Sequence, residues 1–337
     1  MPRAIHVGLG GQGRHWAGVE KRHSEVEVVA YVEPVAAMVN IAVEKLQIPR
    51  ERIFPSLGQA AAANKADFVV DITPPAVHAT VAEEAVSLGM HYLGEKPMSD
   101  DFAAAKRAVA AAEKAGRTIM VAQNYRFGAL PRTTRRIVAE GKVGRPEVVS
   151  VGFYREWAHS TGTHYVVMPY PLLTDMGIHH FDMLRYVLGR EPIKVRAISW
   201  NPSWGWHKGD AGHAAVIEFE GGLIATHHSL GASVGKQSPW NGEWRIEGPN
   251  GSLTWEDDQL WHTCVSPRER QVREQIPLDP QAVGGQDAVL KEFLAALREG
   301  RQPECNGRDN LHSLALVFAA VRSAKENREV TIAELLG

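Results

Sequence analysis

The chain has 337 residues, and its 44% hydrophobic and 23% charged residues are ordinary for a globular protein of about two domains. Its 37 basic and 39 acidic side chains give a formal net charge of −2, which excludes the strong positive charge of a typical nucleic-acid-binding protein. Two cysteines are too few for a disulfide framework, and neither a basic leader segment nor an apolar run of membrane-spanning length is present, so we expect a cytoplasmic protein.

Short apolar runs alternate with longer alanine-rich stretches up to about residue 126. The strand-like runs are Ala4–Leu9, Val26–Val32, Phe68–Thr73, His91–Leu93 and Thr118–Ala122. The clearest helices are predicted at Ala79–Leu88 and Asp101–Ala115, the second with a polar cap before it and Gly116 after it. Because neighbouring parallel strands are usually joined by a helix, this alternation predicts a parallel sheet built from βαβ units.

The second half of the chain changes to a period of two, which is typical of half-buried strands. The residues that alternate in this way are Val149, Val151 and Phe153, and later Ala215, Ile217 and Phe219. Two turn segments, Glu220–Gly222 and Gly248–Gly251, separate further strand-like runs and predict antiparallel pairing. Helical spacing returns near the C-terminus, at Leu290, Phe293, Leu294 and Leu297 and again at Leu311, Leu314, Ala315 and Phe318.

The first predicted strand runs into a G-x-G-x-x-G segment at Gly8, Gly10 and Gly13. Such glycines permit a tight turn, close approach of the backbone to a pyrophosphate, and close packing of a helix whose N-terminus offers N–H groups to the phosphate. Glu33 follows Gly13 by 20 residues, at the end of the second strand, where a carboxylate accepts hydrogen bonds from ribose hydroxyls. The pattern predicts a dinucleotide-binding domain, although glycines also serve plain turns and Glu33 alone is equally compatible with a solvated acid.

The residues after Glu33 favour NAD over NADP. Pro34 and Val35 follow it, so the 2′-phosphate of NADP would face a carboxylate with no adjacent cation. Arg14 is a nearby guanidinium that leaves NADP open as an alternative.

Several further motifs are spread along the whole chain. They are Asp71–His78, Glu95-Lys96-Pro97, Gln123–Phe127, the D-x-G-x-H-x-x-D segment Asp175–Asp182, and the tail Arg322–Val330. In this order they resemble the motifs of the Gfo/Idh/MocA family of sugar and cyclitol dehydrogenases. The segment Met168–Thr174 departs from the family, because many relatives carry a glycine run there and this chain carries prolines. Since that loop borders the substrate site in the family, the departure bears on substrate identity more than on reaction type.

The fold class that follows is α/β. We expect an NAD-binding Rossmann domain with a parallel sheet at residues 1–126. A substrate-binding and oligomerisation domain with a large, mostly antiparallel open sheet is expected at residues 127–337, with the last helix a candidate to pack back on the first domain. The resemblance also implies a cis peptide bond between Lys96 and Pro97.

Three residues are predicted to be catalytic. Lys96 supplies a positive group that polarises the substrate oxygen, and the alternative for an isolated lysine is a solvated surface residue. Asp175 and His179 are four residues apart, which places both on one face of a helix as an acid–base pair. The alternative for His179 is a core histidine with satisfied hydrogen bonds, and the neighbouring His180 is expected to be structural.

The remaining predicted site residues surround these three. The cofactor-binding residues are Gly8, Gly10, Gly11, Gln12, Gly13, Glu33, Thr73, Pro74, Pro75, His78, Glu95, Lys96 and Asn124. The substrate contacts are Asn124, Tyr125, Glu156, Trp157, Tyr170 and Thr174, with the loop Asn201–His207 nearby. No metal is expected, because the adjacent histidine pairs direct their side chains apart.

The predicted activity is NAD-dependent oxidation of a secondary alcohol of a sugar, sugar derivative or cyclitol, or the reverse reduction. A redox-neutral glycosidase that retains NAD is the first alternative, and a non-catalytic regulator that senses NAD or sugar is the second. The expected partners are a small-molecule substrate and a second or further copies of the chain, in a homodimer or homotetramer through the C-terminal sheet, with neither nucleic acid nor membrane.

Overall fold

The computed structural model describes residues 1–157, 163–265 and 271–337. The chain divides into two compact units, the first formed by Met1–Asn124 with Gly284–Leu311 and the second by Tyr125–Val283 with His312–Gly337. Within the described ranges, no helix combines the length and the apolar character that a membrane span requires.

The described strands and helices are as follows. The strands are β1 (Arg3–Val7), β2 (Glu27–Val32), β3 (Ile53–Phe54), β4 (Phe68–Asp71), β5 (His91–Gly94), β6 (Ile119–Val121), β7 (Val148–Tyr154), β8 (Pro192–Trp200), β9 (Gly212–Phe219), β10 (Leu223–Leu230), β11 (Glu243–Gly248), β12 (Gly251–Glu256), β13 (Gln259–Cys264), β14 (Val272–Ile276) and β15 (Val330–Thr331). The α-helices are α1 (Gly11–Arg22), α2 (Ala36–Leu46), α3 (Leu57–Ala63), α4 (Pro75–Ser87), α5 (Phe102–Lys114), α6 (Ala129–Ala139), α7 (Gly177–Leu188), α8 (Gly285–Glu299), α9 (Gly307–Glu326) and α10 (Ala333–Leu336).

The first unit contains a six-stranded sheet in the order β3-β2-β1-β4-β5-β6, with every pair of neighbours parallel. This order and direction are those of a Rossmann sheet, so the predicted parallel sheet is confirmed. All four residues of β4 are buried, as expected for a parallel strand covered by helices on both faces. Strand β3 was not predicted, because two residues are too short to produce an apolar pattern.

The predicted helices of the first unit are present, with one boundary moved. In α5, the Asp101 carboxylate accepts hydrogen bonds from the N–H groups of Ala103 and Ala104, which satisfies the helix start that the sequence indicated. Helix α4 begins at Pro75, four residues before the predicted start. Proline suits the first helical position because its fixed φ angle matches a helix and no N–H partner is needed there. The residue before it is the exposed Pro74.

Helix α8 belongs to the first unit although it follows most of the second in sequence. Its Phe293 ring packs edge-on against Phe68 of β4, with ring centroids 5.3 Å apart. Helix α9 begins in the first unit and continues in the second, so the chain crosses between units more than once.

The second unit contains a nine-stranded sheet in the order β14-β13-β12-β11-β7-β10-β9-β8-β15. All neighbours are antiparallel except β7 and β10, which confirms the predicted mostly antiparallel open sheet. The predicted tight turn joins β9 to β10, where Gly221 has φ +75° and Gly222 φ +78°, a region that side-chain-bearing residues rarely adopt.

The two faces of this sheet differ. Helix α7, with all twelve residues buried, lies on one face, where its Phe181 ring packs against His227 of β10. On the opposite face, Ile198, Val216 and Ile224 stay exposed on three adjacent strands.

Candidate active site

The glycine-rich segment of the first unit is shaped for a pyrophosphate. Gly8 has φ +96°, and a Cβ atom there would lie 2.8 Å from the carbonyl oxygen of Ile72. A Cβ on Gly13 would lie 1.9 Å from the carbonyl oxygen of Gly8, so only glycine permits this packing of α1 against β1. A Cβ on Gly10 or Gly11 would meet nothing within 4 Å. The turn is therefore closed on its protein side and open at the N-terminus of α1, which fits a dinucleotide phosphate.

Glu33 is buried rather than solvated, with 8% of the residue exposed. One carboxylate oxygen accepts a hydrogen bond of 2.8 Å from the Leu9 N–H group, and the other accepts one of 2.9 Å from Val35. The side chain thereby ties the glycine-rich segment to the end of β2. Each oxygen keeps a further acceptor site, as a ribose hydroxyl requires. Arg14 donates to the Leu9 carbonyl oxygen at 3.0 Å, near the same carboxylate.

A buried His6–Glu20 pair lies beneath the glycine-rich segment, and the sequence analysis missed it. Nδ1 of His6 lies 2.8 Å from a Glu20 carboxylate oxygen, and Nε2 lies 2.8 Å from the Gly8 carbonyl oxygen. Burial by itself lowers the pKa of His6, but the Glu20 charge and hydrogen bond outweigh burial, and the pKa is raised. The available signal was a histidine inside the apolar strand β1, which in a buried strand requires a polar partner.

The Lys96 turn follows β5 and is held by its neighbour Glu95. The Trp16 indole N–H donates to one Glu95 oxygen at 2.7 Å, and the backbone N–H of Lys96 lies 3.0 Å from the other. The amide of Gln12 is 3.5 Å from Glu95, at the limit of a hydrogen bond. The Lys96–Pro97 peptide bond is cis, which confirms that expectation.

His78 links the Lys96 turn to the segment after β4. It is 1% exposed, with Nδ1 2.8 Å from the Pro97 carbonyl oxygen and Nε2 2.7 Å from the Thr73 carbonyl oxygen. Thr73 in turn donates through its N–H and hydroxyl groups to Asp71, at 2.9 and 2.7 Å. Both ring nitrogens of His78 are thus engaged with backbone, which gives this residue a positioning geometry rather than a ligand-facing one.

The predicted cofactor residues lie on one edge of the first sheet. They follow the carboxyl ends of β1, β2, β4, β5 and β6, and half-buried Asn124 comes three residues after the last of these strands. In parallel α/β sheets this edge, next to the point where strand order reverses, is where ligands bind.

In the second unit, Asp175 lies in a π-helical segment and His179 lies in the first turn of α7. Leu172–Met176 is π-helical, and the Gly177 N–H group bonds back five residues to the Leu172 carbonyl oxygen before α7 proceeds. The segment between Asp175 and His179 is therefore α-helical only from Gly177 onward, whereas the sequence predicted an α-helix throughout it. Such π-turns recur at functional sites.

Two tyrosines surround the Asp175–His179 turn. The ring of His179 is buried and stacks on Tyr125, with centroids 4.1 Å apart and planes 15° from parallel. Burial and the Asp175 charge raise the pKa of Tyr125. Burial, the Asp175 charge and a hydrogen bond to Asp175 raise the pKa of Tyr165. Both phenols are thus protonated donors beside a carboxylate acceptor and an imidazole.

The other predicted substrate residues lie in two places in the second unit. Glu156 and Trp157 come just after β7, and Tyr170 and Thr174 lie at the π-helical segment. Trp157 is buried in an apolar cluster that includes Tyr125, Tyr165 and, from the loop Asn201–His207, Trp206. Glu156 pairs by backbone with Ala232 in an isolated β-bridge.

Tyr170 and Thr174 contact each other at the start of the π-helical segment that contains Asp175. The Thr174 hydroxyl donates to the Tyr170 carbonyl oxygen at 2.8 Å. The Lys325 ammonium lies 5.5 Å from the centre of the Tyr170 ring.

A second group of histidines lies directly behind this turn. Nδ1 of His180 is 2.9 Å from Nε2 of His227, and Nδ1 of His227 is 2.8 Å from Nε2 of His213, whose Nδ1 is 2.8 Å from the Ser229 hydroxyl. Nε2 of His180 lies 3.0 Å from the Trp240 carbonyl oxygen, which only accepts, so every ring must donate in the same direction along the chain. Burial lowers the pKa of His180 to about 4 and, with the neighbouring histidines, that of His213 to about 3.

The ring nitrogens of these histidines contact one another, Ser229 and Trp240. Among the residues whose positions are described, no group of three or more histidine, cysteine or acidic side chains has an arrangement that could hold a metal ion. In the sequence, the adjacent pairs His179–His180 and His227–His228 suggested only a comparison with metal-ligand spacing. The hydrogen-bonded chain His180–His227–His213 joins three separate elements, so no local pattern predicted it.

Two family models together match most of the chain. The Gfo/Idh/MocA model described as an oxidoreductase family with an NAD-binding Rossmann fold matches residues 3–123. The model described as the C-terminal alpha/beta domain of that oxidoreductase family matches residues 135–332.

Individual proteins are similar over comparable lengths. The chain is 27% identical over 347 residues to the uncharacterized protein y4oX of Sinorhizobium fredii, covering 99% of this chain and 96% of that protein. It is 26% identical over 280 residues to inositol 2-dehydrogenase of Rhizobium meliloti, covering 81% of this chain and 82% of that enzyme. A solved oxidoreductase of Agrobacterium radiobacter, in complex with NAD+, L-tartaric acid and magnesium, has a TM-score of 0.88 at 19% identity over 99% of both chains, a likeness of fold.

Proposed function

Because the chain belongs to the Gfo/Idh/MocA family of NAD-binding oxidoreductases, we propose that it oxidises a secondary alcohol of a sugar, sugar derivative or cyclitol, or catalyses the reverse reduction. A relative named inositol 2-dehydrogenase supports this substrate class. The observation that carries the proposal is the Asp175–His179 turn, where a buried imidazole and a carboxylate meet two protonated phenols.

The proposal assigns cofactor binding to the first unit. The open glycine-rich turn at Gly10 and Gly11 would receive the pyrophosphate, and the buried carboxylate of Glu33 would accept the hydroxyls of the adenosine ribose. NAD, when bound, supplies the hydride acceptor. A 2′-phosphate in place of a ribose hydroxyl would bring a second anion to Glu33, so NAD is the preferred form.

The proposal assigns the proton transfer to the second unit. An imidazole nitrogen of His179 accepts the proton of the substrate hydroxyl, and the Asp175 carboxylate stabilises the imidazolium that results. Tyr125 holds the plane of the His179 ring by stacking, and the Tyr165 hydroxyl holds the Asp175 carboxylate by a hydrogen bond. The pair would act in reverse as proton donor during reduction.

Lys96 is assigned to the substrate oxygen. Its ammonium donates a hydrogen bond to that oxygen and stabilises the negative charge that develops as the proton leaves. Glu95 and the His78 contact to the Pro97 carbonyl oxygen position the backbone of this residue on both sides.

We further propose that the open face of the nine-stranded sheet pairs with a second copy of the chain, in a dimer or tetramer. The exposed residues Ile198, Val216 and Ile224 on adjacent strands support this assignment, because apolar side chains grouped on one face are typical of an interface.

The test of the function is a substrate panel with the purified protein and NAD. Hexoses, uronates, inositols and glycosides are each incubated with the wild type and with His179→Ala, and NADH absorbance is followed. The expected result is NADH formation from a free sugar or cyclitol, lost in His179→Ala and retained in a variant of the exposed His15. Cleavage of a glycoside without net NADH would instead support the NAD-retaining glycosidase, and binding without any turnover would support the regulator.

A further inference from the structure

Arg155 lies near Tyr125, the ring that stacks on His179, and no ion pair joins it to an acid in the described part of the chain. Arg155 is the first residue after β7, and Trp157 follows it by two residues. Nη1 of Arg155 donates to the Ser238 carbonyl oxygen at 3.0 Å, and the guanidinium lies 4.4 Å from the centre of the Trp240 ring. Two contacts of different kinds therefore hold the plane of the guanidinium.

The charge of Arg155 has no carboxylate partner in the part of the chain that the structure describes. Its Nε atom is buried and meets no acceptor there. A guanidinium carries five N–H donors and cannot lose its charge, so a partly buried one normally pairs with an anion. The Ser238 carbonyl oxygen accepts only one of these donors.

A series of aromatic contacts links the Arg155 guanidinium to His179. The Trp157 and Trp240 rings are 6.4 Å apart, and Trp157 packs in the cluster that contains Tyr125, the ring stacked on His179. Arg155 also lowers the pKa of Tyr125, against the larger effects of burial and Asp175 that raise it.

We infer that the substrate is an acidic sugar or another polyhydroxy acid, and that Arg155 binds its carboxylate. The inference rests on the proposed function, because it places the carboxylate on the molecule whose hydroxyl His179 deprotonates. The Nη2 edge of the guanidinium donates to no described residue, and its planar geometry matches a carboxylate. The half-buried Trp206, packed against the same cluster, offers aromatic surface for the apolar face of the carbon skeleton.

The competing role for Arg155 is to hold the loop before β11 through Ser238 and Trp240. The two roles predict different kinetics. A residue that binds the substrate carboxylate changes KM for acids and leaves neutral sugars unaffected, whereas a residue that only holds a loop changes acids and neutral sugars alike.

The test compares matched pairs, glucose with glucuronate and galactose with galacturonate, in wild type, Arg155→Gln and Arg155→Lys with saturating NAD. We expect the wild type to prefer the acid of a pair by at least about tenfold in kcat/KM, the scale of one charge-assisted hydrogen bond. Arg155→Gln should raise KM for the acid by about 10- to 100-fold, with kcat within about threefold and the neutral sugar unchanged. Arg155→Lys should restore part of the affinity, and the exposed control Arg308→Gln should match wild type.

A binding measurement separates this inference from the proposed function. Glucuronate and galacturonate are titrated calorimetrically into NAD-bound His179→Ala, with and without Arg155→Gln. Binding that depends on Arg155 supports the inference even if no substrate is oxidised. Equal binding with and without Arg155, or a wild type that prefers the neutral member of both pairs, overturns it while leaving the dehydrogenase activity intact.

Discussion

His179 is the residue on which the proposed chemistry depends. A positioned base contributes about 10²- to 10⁴-fold to rate, so we predict that His179→Ala lowers kcat by that factor while NAD affinity stays near wild type. Asp175→Asn keeps the shape and removes the charge, and should lower kcat by a smaller factor. The measurements are steady-state kinetics on the best substrate and NAD titration. A kcat within about threefold of wild type in His179→Ala would mean that this residue is a core histidine, and the base would have to be sought at Lys96 or Tyr170.

Glu33 combines a ligand role with a structural one. Glu33→Ala would leave the N–H groups of Leu9 and Val35 without their acceptor, at a cost of roughly 1–3 kcal/mol for the buried Leu9 N–H, so Glu33→Gln, which keeps one acceptor oxygen, is the better probe. We predict that Glu33→Gln raises the affinity for NADP relative to NAD by about tenfold, because the 2′-phosphate no longer faces a carboxylate. The dissociation constants of both cofactors are compared with those of Glu44→Gln, an exposed acid on α2. Equal wild-type affinity for NAD and NADP would refute the assignment.

The places of the candidate site residues in the fold were predictable where they depend on spacing from the end of a strand or within one turn. Glu33, Lys96 and His179 follow from motifs that occupy fixed positions after strands or within one turn. The partners of these residues come from distant segments, such as Trp16 for Glu95 and Tyr165 for Asp175. Only the folded chain brings those segments together, so no local pattern identified them.

The chain His180–His227–His213 connects α7, β10 and β9, and it makes the second unit sensitive to acid. Burial keeps the three rings neutral at neutral pH, because desolvation lowers the pKa of each of them. In the folded protein the pKa values of His180 and His213 are about 4 and about 3, below the ordinary histidine value of 6.5. The unfolded chain therefore binds more protons below pH 6.5, and stability present above that pH is lost as the pH falls toward 4.

We predict that the free energy of unfolding falls by about 1 kcal/mol per pH unit for each of these two histidines as the pH drops from 6.5 toward 4. Eight of the nine tryptophans lie after residue 150, so their fluorescence during denaturant unfolding reports on the second unit. His227→Leu should reduce the steepness of the pH dependence and destabilise the protein at neutral pH, because His213 and His180 each lose one hydrogen-bond partner. An unchanged steepness in His227→Leu would contradict the account, and His15→Gln serves as the exposed control.

At the scale of elements, regular strands and helices were predictable and the irregular turn was not. Strand β4 is buried throughout, so an apolar run sufficed to locate it. The π-turn Leu172–Met176 differs from an α-helix by one residue in its hydrogen-bond pattern, and no side-chain periodicity distinguishes the two over five residues.

The strand direction in each sheet, parallel in the first and mostly antiparallel in the second, was predictable because the two arrangements leave different sequence patterns. The nine-stranded order was not, because the parallel pairing of β7 with β10 joins segments about 75 residues apart. The assignment of α8 to the first unit also depends on packing, since Phe293 finds its partner Phe68 far back in the sequence.

For the whole molecule, we predict that the open sheet face determines the oligomeric state. Placing charges there, as in Val216→Asp combined with Ile224→Asp, should convert a dimer or tetramer to monomer, because two apposed faces would bury unpaired carboxylates. Light scattering coupled to size exclusion measures this. Leu88→Asp, an equally exposed apolar site on the first unit, should not change the mass. A wild type that is monomeric at micromolar concentration would contradict the prediction.

The central claim is net oxidation of a secondary alcohol by NAD. Its most direct test uses the best substrate, deuterated at the carbon that bears the reacting hydroxyl, with measurement of both NADH and carbonyl product by mass spectrometry. The account predicts one deuterated NADH for each carbonyl product released. Product formation without accumulated NADH, or with unlabelled NADH, would contradict it.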